Sequence, residues 1–301
     1  MAAVPAAPEA AEGRDATAAP GAPADSNPKR SRPADPPTVL LRCVGLCGVD
    51  DACAPELESV AWPSWVEFGV LFRAEKEGRP RFPRADSVRR LAGAARRMGC
   101  ALAAHLCSTR CEEVLHGKPD FVRELRELGF ARVQVNATLA NNVDSAALRG
   151  DVHWPNLRRV ALAVPDVEFI LQRNAETEPL WAAFEAERAR GEAPPNVSML
   201  FDASVGRGVT VTEFPVPASP DTVRFGYAGG IRPENVESVL RGVARALDAA
   251  PARDRLAVWI DMESGVRDSE SDAFSLAKAR AVVERVSALS WVEFAAPPHP
   301  R

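Results

Sequence analysis

The sequence predicts a (β/α)₈ barrel, and three observations carry that prediction. Eight short apolar segments rich in Val, Leu, Ile and Phe alternate with longer stretches of helical periodicity. The alternation runs over roughly 255 residues, the size such a barrel needs. Many of the apolar segments also carry a polar residue near the C-terminal end: Glu67, His105, Gln134, Asn136, Gln172, Asp202, Asp261 and Glu263. Side chains alternate faces along a strand, so Gln134 and Asn136, or Asp261 and Glu263, must share one. In a barrel that face is the interior, opening at the end where active sites sit. A doubly wound open sheet, the main rival, would spread the same groups over two surfaces.

The elements follow in order. "TVLLRCVGL" (38–46) and "WVEFGVLF" (65–72) read as the first two strands, and "ADSVRRLAGAARRMG" (85–99) as a helix. That helix has an apolar stripe at Val88, Leu91 and Ala95, and its arginines form a solvated face. "CALAAHLC" (100–107) is the third strand, "KPDFVRELRELGF" (118–130) a helix and "ARVQVNA" (131–137) the fourth strand. Pro155–Val164 reads as a further short helix, with the strand "RRVALAV" as the other reading. "VEFILQ" (167–172), the helix 177–191 and "VSMLFDAS" (197–204) come next. "RFGYAGG" (224–230), the helix 233–250, "LAVWIDME" (256–263) and the helix 272–289 complete the set.

Residues 1–37 are nearly all Ala, Pro, Gly and charge. They lack the side chains that would offset ordering entropy and read as a disordered tail ahead of a single barrel domain, 38–301. The "PKRSRP" stretch (28–33) reads as a solvated charge cluster rather than a nuclear address. No run of apolar residues follows a basic start, and none reaches the roughly 18 residues of a membrane helix. Net charge is −4 with both signs interspersed, which leaves no basic footprint for nucleic acid. All six cysteines lie between 43 and 111, and with no secretion signal a reduced, cytoplasmic setting without disulfides is expected.

The stretch "FGYAGGIRPENVESVL" (225–240) places two glycines where the seventh strand ends and a helix is about to begin. About 35 residues on, "WIDMESGVRD" (259–268) offers Ser264 and Gly265 after the eighth. In many barrels the loops after strands seven and eight bind a phosphate through backbone N–H groups. Gly229, Gly230, Ser264 and Gly265 are therefore phosphate-binding candidates, with Arg267 as a charged partner. Tight βα turns alone would also account for the glycines.

These closing segments, "YAGGIRPENV" and "IDMESGVRD", resemble the end of phosphoribosylanthranilate isomerase, whose barrel closes on similar Gly-Gly-Pro-Glu-Asn-Val and Asp-x-x-Ser-Gly-Val elements. "GVLFRAEKEGRPRFP" (69–83) resembles that family's second strand and Ser-Pro-Arg-Tyr loop, which implies a substrate-anchoring Arg81. "MLFDASVGRGV" (199–209) resembles the strand with the family's general acid and the glycine-rich loop after it, which maps the acid onto Asp202. "GLCGVDD" (45–51) resembles the Lys-Ile-Cys-Gly element and maps the general base onto Cys47, but Gly45 replaces the lysine and Asp50 and Asp51 follow. The similarity spans most of residues 38–290.

The resemblance implies an aldose–ketose isomerisation of a phosphorylated sugar derivative, with no cofactor. Asp202 as acid requires a raised pKa and Cys47 as base a lowered one. His105 is a further acid–base candidate at the mouth, and Glu67, Asn136, Gln172, Asp261 and Glu263 are candidates for contacting substrate. A zinc site from His105, Cys107, Cys111 and His116 is not expected, because the first two share a strand face while the others enter the next helix. A Mg²⁺ site from Asp50, Glu67, Asp202, Asp261 and Glu263 is the basis of a rival reading, a metal-dependent lyase or hydrolase. The other rival is a barrel that binds a phosphorylated metabolite without turning it over.

Overall fold

A computed structural model of the chain describes residues 36–51, 53–202, 212–217, 223–250 and 256–296. The expected tail, apart from its last two residues, and the glycine-rich loop after Asp202 lie outside the described residues.

Eight parallel strands form the ring: β1 (Val39–Cys47), β2 (Val66–Phe72), β3 (Ala101–Leu106), β4 (Arg132–Val135), β5 (Glu168–Arg173), β6 (Val197–Asp202), β7 (Phe225–Ala228) and β8 (Ala257–Met262). Each pairs with the next, and β1 pairs with both β2 and β8, so the sheet closes on itself and the open-sheet alternative is excluded. A short ninth strand, β9 (Val292–Phe294), was not foreseen. It pairs with Val39–Leu41 below the point where β2 begins, and Phe294 stacks on Trp65 there.

The helices are α1 (Ala54–Leu57), α2 (Ala85–Met98), α3 (Thr109–Leu115), α4 (Asp120–Leu128), α5 (Gly150–Ala163), α6 (Glu178–Ala189), α7 (Val236–Asp248) and α8 (Leu276–Ser287). The ambiguous segment before β5 is helical, and α5 begins five residues earlier than expected. Helices cover the ring because each offers one apolar stripe. On α7 the buried residues Val236, Val239, Leu240, Val243, Ala244 and Leu247 recur at helical spacing. The strands are buried on both faces, which is why they read as continuous apolar runs.

The interior has three levels. At the N-terminal floor, Arg132 donates to Glu67 at 2.8 Å, and Arg42 donates to both oxygens of Glu168 at 3.2 and 3.0 Å. Arg224 approaches Glu168 at 3.4 Å. The second is an apolar cluster of Cys43, Ile170, Leu200 and Trp259 that touches the floor: Arg132 donates to the Cys43 sulfur at 3.3 Å, and its guanidinium lies 4.1 Å from the Trp259 ring centroid. The third level is the mouth.

Glu67 is therefore corrected from a substrate-binding candidate to a floor residue. It is the second residue of β2, too low in the ring to reach the mouth, and Arg132 holds its carboxylate.

Burial pulls the Glu168 carboxyl up, but Arg132, Arg42 and Arg224 outweigh it and hold the group down at about 2, against an ordinary 4.5. A carboxylate held low contributes stability that is full above pH 4.5 and lost as the pH falls toward 2. Glu168→Gln leaves the floor arginines uncompensated and should cost about 3–5 kcal/mol in urea unfolding at pH 7. It should also flatten the acid limb of the stability curve. An unchanged midpoint and limb would refute this role for the floor.

Candidate functional site

At the C-terminal ends of the strands a cavity of about 690 Å³ opens. Its inner wall carries His105 from β3, Gln134 and Asn136 from β4 and the segment after it, Gln172 from β5, Asp202 from β6 and Asp261 from β8. Glu263, Ser264, Gly229, Gly230 and Arg81 complete the rim on one side. Ten of the fourteen candidate residues thus line one space; Cys47, Glu67, Gly265 and Arg267 do not.

The question raised by the paired glycines has a geometric answer first. Gly229 and Gly230 have φ of 113° and 57°, a region that side chains make costly. The turn is then fastened by Asn235, whose Nδ2 donates to the Gly230 carbonyl at 2.9 Å while its Oδ1 accepts from the Arg232 N–H at 2.8 Å. Among the described residues, the N–H groups of Gly229, Gly230 and Ile231 make no backbone hydrogen bond. These three residues line the cavity just before α7.

The partner turn after β8 differs from expectation in two places. Gly265 is pressed against the Ile231 carbonyl, where a Cβ would overlap the oxygen, so this glycine serves the packing of one turn on the other. Arg267 is only 2% exposed and is already engaged: it donates to Asp50 and Asp272, each at 3.1 Å, and to the Gly48 carbonyl. It ties the β1 loop to the β8 loop and is not a phosphate ligand.

Arg81 does face the cavity, but it also spans it. Its Nε and Nη2 donate to the two oxygens of Asp272 at 2.7 and 2.8 Å, and its Nη1 to Glu263 at 2.5 Å. Arg81 and Asp272 have φ of 74° and 53°, so both ends of this bridge sit in strained backbone. The same β2–α2 loop brings Arg73, Lys76 and Arg79 to the wall, three cations that sequence reasoning did not single out. Their signal was present as four basic residues within nine positions directly after a strand end.

The densest chemistry joins β1, β3 and β8. The Cys47 thiol donates to Asp261 Oδ1 at 2.7 Å, and His105 Nε2 lies 3.2 Å from the sulfur. Burial, with Asp261 adding to it, pushes the Cys47 thiol well above its ordinary value. That opposes the lowered pKa a thiolate base needs, and Cys47 lies behind the wall that Asp261 and His105 form. Its assignment as the base facing substrate is corrected accordingly. Burial also pushes Asp261 up to about 7, and burial with Arg132 holds His105 down at about 3, so the imidazole is neutral. Nearby, Gln134 donates to Asn136 at 2.8 Å, and Gln172 approaches Asp202 Oδ2 at 3.4 Å.

Neither metal set weighed from the sequence assembles. Cys111 is buried in the outer core and His116 sits beside His153, away from His105. Asp50 and Glu67 are taken by Arg267 and Arg132. The ligand atoms of Cys47, His105 and Asp261 do converge, all within 4.8 Å of one another. Their positions, 47, 105 and 261, give no sequence hint of this.

Fold and site together define a (β/α)₈ barrel with a polar C-terminal mouth. No protein-family model and no curated protein sequence matches the chain. Among solved structures it is similar to D-allulose 3-epimerase from Methylomonas sp., at 13% identity and a TM-score of 0.51, over 84% of this chain and 99% of that one. It is also similar to phosphoribosyl anthranilate isomerase from Thermus thermophilus, at 20% identity and a TM-score of 0.46, over 82% and 99%. The enzyme of the same name from Thermococcus kodakaraensis gives 14% and 0.45, over 82% and 100%. The first of these similarities supports the barrel fold alone.

If Gly265 serves packing, Gly265→Ala should destabilise the ligand-free protein by about 1–3 kcal/mol, the range for an overpacked contact. Chemical unfolding without any ligand measures this. Full stability in the variant would return Gly265 to the list of ligand-binding candidates.

Proposed function

We propose that the barrel mouth binds a phosphorylated, polyhydroxylated metabolite and moves protons on it, as an aldose–ketose isomerase does. One observation carries the reading: Asp202 on β6 and Asp261 on β8 open into the same cavity on either side of the Gly229–Gly230 turn. A phosphate held by the bare amides of that turn would place its sugar carbons between two carboxyl-bearing strands. The amides of Gln134, Asn136 and Gln172 supply donors and acceptors suited to hydroxyl groups.

Sugar isomerisation needs a proton delivered to the ring oxygen and another removed from the adjacent carbon. Asp202 is the group we assign to the first task, as the resemblance to phosphoribosylanthranilate isomerase implies. The second pole is the Cys47–His105–Asp261 group, which reaches the cavity through its imidazole and carboxylate rather than through its thiol. Lys76 and Arg79 have no carboxylate within ion-pair distance among the described residues, which leaves two cations for a further anionic group on the substrate.

The test is conversion of phosphoribosylanthranilate by the purified protein, followed by two substitutions. Asp202→Asn should lower turnover by about 10²–10⁴-fold, the usual contribution of one acid–base group, while ligand binding by calorimetry persists. Gly230→Val should instead weaken binding of the phosphorylated ligand. Turnover that survives Asp202→Asn would remove the acid assignment. Tight binding with no turnover of this or other aldose phosphates would leave a binding barrel.

A further inference from the structure

We propose that Cys47, His105 and Asp261 form a zinc site with three protein ligands and a fourth position open to the cavity. The binding of the ion does not depend on which reaction the barrel catalyses.

Charge is the first reason. Asp261 is 8% exposed, and among the described residues it has no ion-pair partner; the hydrogen bond it receives comes from a neutral thiol. Three other acids at comparable depth are matched by arginines: Glu67 by Arg132, Glu168 by Arg42 and Arg132, Asp50 by Arg267. A buried carboxylate without a cation is costly. A divalent ion bound by one carboxylate, one thiolate and one neutral imidazole makes a group of zero net charge.

Space is the second. Gly45 on β1 and Gly69 on β2 flank the cluster in mid-strand, where glycine weakens a sheet. A Cβ on Gly45 would overlap Asp261 Oδ1, and one on Gly69 would overlap the Cys47 sulfur. The ring thus keeps a cradle in which the thiol and the carboxylate meet. The third reason is geometry. The sulfur–oxygen separation of 2.7 Å is set by the thiol proton donated to Asp261, and His105 Nε2 lies 3.2 Å from the same sulfur. Zinc bonds of about 2.0–2.3 Å in a tetrahedron hold ligand atoms about 3.5 Å apart. Loading the ion therefore releases the thiol proton to water and lengthens these two separations by less than about 1 Å.

The donor set selects the metal. A thiolate with an imidazole suits zinc, whereas Mg²⁺ and Ca²⁺ require oxygen ligands. Because His105 and Asp261 line the cavity, the fourth ligand is water or a substrate oxygen, the arrangement of a zinc ion that polarises its ligand.

The test uses the full chain, stripped with a chelator and reloaded. Elemental analysis after dialysis against one equivalent of zinc should find one zinc per chain. Cobalt loading should give a near-ultraviolet thiolate-to-cobalt charge-transfer band and the visible bands of a four-coordinate ion. Cys47→Ser should abolish the charge-transfer band, and His105→Gln should lower zinc affinity at least tenfold, with circular dichroism reporting the fold. Cobalt-loaded wild type without the thiolate band would overturn the site even if neither variant folds. So would zinc retained undiminished by both variants. Zinc bound without isomerase turnover would sink only the proposed reaction. Turnover that chelation does not touch, in a protein that binds no zinc, would sink only the site.

Discussion

Closing eight strands into a ring sends every second side chain into a channel whose only ways to water are its two ends, and this chain fills that channel with charge. Three arginines and two glutamates occupy the floor, and carboxylates, amides and an imidazole occupy the mouth. The apolar cluster of Cys43, Ile170, Leu200 and Trp259 packs against the floor through Arg132. Floor acids find arginines within reach, and Arg132 still acts electrostatically on His105 and Asp261 at the mouth. Buried pairs are weak evidence for stability, since desolvation offsets most of their attraction. Their consequence here is positional: Arg132 and Arg42 hold the Glu67 and Glu168 carboxylates at the floor.

The rim shows the same economy of charge. Asp272 accepts from Arg81 and from Arg267, and Arg267 also donates to Asp50. The chain of ion pairs ties together the loops after β1, β2 and β8. Its outer link, Arg81–Asp272, is half-exposed and screened by solvent, so it contributes little to stability by itself. Its inner link is buried at both ends, and truncating either residue would strand the other. Strained backbone at Arg81 and Asp272 persists because both ends are held in this way.

How much of this was legible depends on whether a feature is local. Strand and helix positions follow from periodicity, and the αL turn at Gly229–Gly230 follows from two adjacent glycines after an apolar run. Polar strand ends marked His105, Asn136, Gln172 and Asp202 because the alternation of faces is also local. Height in the barrel is not. Glu67 and Asp261 look alike in sequence, yet one is near the start of its strand and the other near the end, and that difference sends Glu67 to the floor. Partners are not local either: Arg267 reads as a free cation until the fold sets Asp50 and Asp272 beside it. The meeting of residues 47, 105 and 261 needs the closure of the ring, since β1 becomes a neighbour of β8 only when the sheet is complete.

The zinc site and the anion turn also bear on each other. Neighbouring strands lie about 4.8 Å apart, so a phosphate on the β7 turn would sit roughly one strand spacing from Asp202 and another from Asp261. Two carboxylates at that range repel a phosphate dianion and oppose the amide dipoles of the turn. Removing the charge of one carboxylate favours an anion on the turn. An ion held between Asp261, Cys47 and His105 does this without using a proton that the reaction needs. It leaves Asp202 as the one of the two carboxylates without a metal, and it makes anion binding at Gly229 and Gly230 depend on residues of β1, β3 and β8.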